Sequence, residues 1–83
     1  MQDRNDNIDI FSTIDTSLSA YLLMSGFELI DVEVGRQSVF LWEDTKELRM
    51  KIKSFQTSKA IGNLKQYFEA YRKCLIMVKN GKM

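Results

Sequence analysis

The sequence predicts an α+β fold: helix, β-hairpin, helix, helix, in one small domain with the C-terminal helix as its spine. Three observations predict it. Apolar residues recur at helical spacing in three stretches, around Leu18, around Ile52 and around Tyr71. Between the first two stretches lie a pair of β-rich runs parted by Gly35. Polar residues with capping chemistry stand ahead of every helical stretch. With 83 residues there is room for one domain. A chain this short buries only roughly 60% of its unfolded surface, so each large core side chain counts.

Residues 1–11 read as a flexible acidic arm, 12–80 as the folded domain and 81–83 as a tail. Ser12 and Asp15 are spaced as a capping box, and Ile14, Leu18, Tyr21 and Leu22 follow on one helical face. Gly26 suits the left-handed position that ends such a helix, giving a first helix over about 14–25. The run from Phe27 to Val34 switches apolar parity, which predicts a bulge or strand start near Ile30. With the return strand Gln37–Trp42 it makes a hairpin over roughly 28–42.

Asp44 and Glu47 form a second capping box, and Leu48, Ile52 and Phe55 place a helix over about 45–56. Asn63 with Gln66 starts the last helix, about 64–79. Its stripe is Leu64, Tyr67, Phe68, Tyr71, Leu75 and Val78, and Asn80-Gly81 stops it.

Composition excludes much chemistry. There is no histidine, which removes the commonest general base and metal ligand. One cysteine, Cys74, permits neither an internal disulfide nor a thiolate metal cluster. It reads as a small buried hydrophobe without a base to activate it. No glycine-rich phosphate loop is present. Asp3, Asp6 and Asp9 lack the spacing of a calcium loop. We therefore expect no enzymatic activity, no catalytic residue, no metal and no cofactor. The lone cysteine, the absence of a secretory signal and an apolar run limited to Ala20–Met24 predict a cytoplasmic protein outside the membrane.

What remains is surface. Net charge is +1, yet residues 1–43 carry two bases against eight acids, and residues 44–83 carry ten bases against three. Such asymmetry accompanies an anionic partner, or two halves that attract each other within the fold. Lys65, Arg72 and Lys79 form a line along the last helix, which Glu69 interrupts. Lys46, Arg49 and Lys53 share a face of the helix before it, with Lys51 and Lys59 nearby. These cations suit phosphates, and equally suit a solvated helix face.

Phe40 and Trp42 carry a second pair of readings. If Val39 and Leu41 face the core, Phe40 and Trp42 lie on the open face of the hairpin, to stack bases or anchor a partner. With reversed parity they are the core.

Three segments carry a resemblance: S-T-x-D-x-x-L-x-A-Y-L-L-x-x-G-F from Ser12 to Phe27, F-L-W-E-D from Phe40 to Asp44, and S-K-A with Y-F-E-A-Y-R between Ser58 and Arg72. Over about residues 12–79 the chain resembles a family of short bacterial and phage domains catalogued only as a domain of unknown function. Phe55 and Ser58 depart from the Trp and Gly associated with the family. The resemblance implies a phage or mobile-element setting and transfers no activity. The expected function is a small nucleic-acid-binding accessory protein, with DNA or RNA as partner. The alternative is a protein-interaction module, such as a phage-encoded inhibitor or adaptor of a host protein. A homodimer fits a domain of this size.

Overall fold

The computed structural model describes residues 8–57 and 62–80. Along the chain run β1 (Ile10–Thr13), α1 (Thr16–Met24), β2 (Leu29–Glu33), β3 (Val39–Glu43), α2 (Lys46–Gln56) and α3 (Leu64–Asn80). The α+β class and the order of the helices and hairpin are as expected. The sheet has one strand more than expected.

That strand is β1. It lies antiparallel to β3, so the sheet order is β1-β3-β2. Ile10 and Phe11 therefore belong to the sheet, where the sequence placed them in a flexible arm. Asp44 N–H donates to Asp9 O at 2.9 Å, which ties down the residue before the strand as well. Residues 1–7 of the expected arm, the tail 81–83 and Lys59 lie outside the described residues. The physical reason for the extra strand is the exposed edge of β3. Phe11 and Thr13 pair with Trp42 and Phe40, which buries aromatic surface that a two-stranded hairpin would leave wet.

The extra strand moves the start of the first helix. Ser12 is in β1, so the expected capping box is absent. Asp15 is the cap instead, accepting from Leu18 N–H at 3.1 Å. Thr13 Oγ1 accepts from Asp15 N–H at 3.0 Å and turns the chain out of the strand. Ile14, expected on the helical face, precedes the helix and is exposed. At the far end Gly26 takes φ 97°, as its place after α1 required.

The second helix shifts its cap by one residue. Thr45 Oγ1, and not the Asp44 carboxylate, accepts from Leu48 N–H at 3.1 Å. The third cap stands where expected, with Asn63 Oδ1 accepting from Gln66 N–H at 3.0 Å.

The helices cover one face of the sheet. α1 packs against both α3 and α2, and α3 also touches β2. Leu18 to Leu22 are all buried, which explains why α1 lacks a polar face. Tyr21 meets Phe55 of α2 with ring centroids 5.4 Å apart. Tyr67 O–H of α3 donates to Ser17 O of α1 at 3.2 Å.

The register decides which side of the hairpin is core. Phe40 pairs with Val32, Trp42 with Leu29, and the expected bulge falls between Leu29 and Asp31. Phe40 and Trp42 are each 1% exposed. The open-face reading of these two residues is therefore corrected: they point under the helices, and Val39 and Leu41 point away. The marginal core of a short chain needs its largest side chains inside, and burying an aromatic gains about 2 kcal/mol.

Candidate interaction surface

The rotation of α3 about its own axis determines what it shows to solvent. Its buried side is Ala70, Cys74 and Met77, with Tyr67, Tyr71 and Val78 packed half-buried beside them. Two of the buried residues are small, so α1 and α3 approach closely. The Tyr67 to Ser17 bond fixes the same rotation.

This corrects the expected core stripe. Leu64, Phe68 and Leu75 were assigned to it, yet they are 68%, 53% and 49% exposed, and Ile76 is exposed beside them. A 3.6-residue repeat places Phe68, Leu75 and Ile76 within about a sixth of a turn of the basic line Lys65, Arg72 and Lys79, and Leu64 a little over a fifth of a turn away. All three bases are exposed. The line runs about 21 Å along the helix at 1.5 Å per residue. Phe68 lies one turn from both Lys65 and Arg72. Glu69 is exposed on the same side of the basic line as Ile76, across it from Leu64, Phe68 and Leu75.

The bases of α2 behave differently. Lys46, Arg49 and Lys53 are exposed on one face, as spacing predicted, with exposed Met50 among them. Arg49 is already engaged. Its Nε and Nη2 donate to the two carboxylate oxygens of Asp44 at 2.7 Å each. Its guanidinium stands 4.9 Å from the centre of the Phe11 ring. α1 packs more extensively on α3 than on α2, so the two basic sets belong to separate helices.

Phe40 and Trp42, which one of their two readings set beside the bases, are inside. Phe68 is the aromatic that does lie among cations. The signal for it was present in the sequence, since Ala70, Cys74 and Met77 share a narrow side of the helix that leaves Phe68 out. The breadth of the apolar arc hid it.

The rest of the described molecule offers little for chemistry. Cys74 is buried, and desolvation pushes its thiol up to about 11. Among the described residues no group of three or more Cys, Asp or Glu is placed to hold a metal ion. A shallow cleft of about 220 Å³ lies where the three helices meet, lined by Tyr21, Met24, Phe55, Leu64 and Tyr67. No charged side chain lines it. Among the described residues no helix is long and apolar enough to cross a membrane.

A family model described as a domain of unknown function (DUF5659) matches residues 8–79. The chain belongs to that family. The match to DUF5659 begins ahead of β1 and ends inside α3, so it takes in the strand that the sequence reading left in the arm. No curated protein and no solved structure matches the chain.

Proposed function

We propose that this protein is a non-enzymatic interaction module that docks another protein through the outer face of α3. The observation that carries the reading is the row of exposed Leu64, Phe68 and Leu75 along one side of Lys65, Arg72 and Lys79, with exposed Ile76 on the other side. Four large apolar side chains on one exposed helix exceed the scattered singles of an ordinary surface. Apolar anchors rimmed by cations suit a partner surface that is itself apolar and acidic. With the family resemblance in mind, such a module acts in a bacterial cytoplasm as a phage or mobile-element inhibitor or adaptor of a host protein.

A second reading keeps nucleic acid as the partner, and Phe68 favours it. An exposed aromatic between Lys65 and Arg72 has the composition of a stacking platform flanked by phosphate contacts. It ranks second because Arg49 of α2 is already engaged by Asp44 and because Leu64, Leu75 and Ile76 offer nothing to a phosphate backbone.

A photo-crosslinking residue at position 68, compared with one at Arg36 in the hairpin turn, tests both. Protein adducts at 68 that survive nuclease, and vanish when Lys65, Arg72 and Lys79 are reversed to Glu, are the expected result. Nuclease-sensitive adducts would move the reading to nucleic acid. Adducts no more abundant at 68 than at 36 would sink the surface itself.

A further inference from the structure

Among the described residues, one face of the sheet is left uncovered by the helices. Cross-strand pairs share a face, so the register places Ile10 with Glu43, Ser12 with Leu41, Asp31 with Leu41 and Glu33 with Val39 on that side. Ile10 is 49% exposed, and Val39 and Leu41 are half-buried. Asp31, Glu33 and Glu43 are exposed. The open face is thus an apolar strip of Ile10, Val39 and Leu41 set among three carboxylates, with no base on these strands to offset them.

This is the chemistry that the outer face of α3 lacks. That face offers an apolar row beside three cations, where the sheet offers an apolar strip among three anions. We propose that the open sheet face of one copy of this chain receives the α3 face of a second copy. The inference rests on the α3 docking reading above and names its partner.

Geometry favours this pairing over α3 against α3. An antiparallel pair of identical helices centred on their middles would bring Arg72 beside its own copy, with Lys65 and Lys79 also in a like-charged row. The sheet pairing sets cations against carboxylates instead of against each other. Because α3 lies in the helix layer and the acidic strip lies on the opposite side of the sheet, the contact is head-to-tail. It therefore propagates into a ring or a filament and does not stop at a dimer.

The test uses the full chain. Sedimentation velocity over ~10 μM to ~1 mM protein, at ~50 mM and ~500 mM salt, reads the average mass against the 9.7 kDa monomer. The expected result is a mass that climbs with concentration at low salt and falls back at high salt. One variant, Glu33→Lys with Glu43→Lys, reverses the sheet face. A second, Lys65→Glu with Arg72→Glu, reverses the helix face. Each alone is expected to stay monomeric, while an equimolar mixture associates, because the sheet of the first then complements the helix of the second. The neutral pair Glu33→Gln with Glu43→Gln guards against misfolding of the reversed chain and should weaken association about tenfold. A wild type that is monomeric at ~1 mM and low salt overturns the inference, as does association that survives either reversal. Position-68 adducts to a foreign protein, without self-association, would leave the α3 reading standing and remove the sheet as its partner.

Discussion

Arg49 holds Asp44 by both prongs of its guanidinium, with two donor–acceptor distances of 2.7 Å. The pair closes the turn between β3 and α2, and Arg49 at the same time covers the Phe11 ring of β1. One side chain thus links the first strand, the end of the third and the second helix. The hydrogen bond from Arg49 holds the Asp44 carboxyl below its ordinary value against the opposing effect of desolvation, and the coulombic attraction adds to it.

A carboxyl depressed in the folded state stabilises the fold above its unfolded value, about 3.9, and that contribution is lost as pH falls through the lower folded value. Asp44→Asn should therefore lower Tm at pH 7, and the gap to wild type should close as the pH is taken below about 4. Thermal melts followed by circular dichroism from pH 7 to pH ~2.5 read this directly. A gap that stays constant to the acid end would mean that the pair contributes nothing through its charge.

Trp42 is the sole tryptophan, and at 1% exposure it reports on the core alone. Its emission should be blue-shifted and insensitive to acrylamide, and should not change when DNA, RNA or a partner is added. Trp42→Ala should cost about 3–5 kcal/mol, which would bring a chain near the lower end of the usual range, about 5 kcal/mol, close to its unfolding midpoint. Quenching of the native emission by nucleic acid would contradict the burial.

Most of the architecture was legible because the signals were local. Gly26, Asn63 and the parity switch at Ile30 each specify their own turn, cap or bulge from side-chain chemistry alone. β1 was not legible in the same way. The run Ile10-Phe11-Ser12-Thr13 has strand-forming residues, but what makes it a strand is the edge of β3, some thirty residues on. The face of the hairpin was open for the same reason: alternation states that two sides differ, and only the helices decide which is covered. On α3 the apolar arc was wider than the contact, so periodicity found the helix and misplaced its buried centre.

Leu75 and Met77 separate these two descriptions of α3. Periodicity assigned Leu75 to the core, whereas the structure leaves it 49% exposed and buries Met77 to 8%. Met77→Ala should cost about 2–4 kcal/mol, and Leu75→Ala should stay within about 0.5–1 kcal/mol. Urea midpoints at unchanged slope provide the comparison. The opposite ranking would mean that α3 is turned toward the original stripe, and the proposed docking face would be lost with it.

Ser19 poses the last test, because it is a polar group in the wrong solvent. It is wholly buried in the middle of α1, and its hydroxyl has no hydrogen-bond partner among the described residues. Burying an unpaired hydroxyl costs about 1–3 kcal/mol. Alanine removes that penalty, keeps nearly the same volume and gains a few tenths of a kcal/mol, roughly 0.4, in helix propensity. Against this stands the loss of one small atom's packing contacts, worth less than the desolvation it relieves. Ser19→Ala should therefore raise stability by about 1 kcal/mol, read as a higher urea midpoint with an unchanged slope. If the variant is instead destabilised, the hydroxyl is satisfied in solution, and the packing around α1 must admit a water or an alternative rotamer that bonds it.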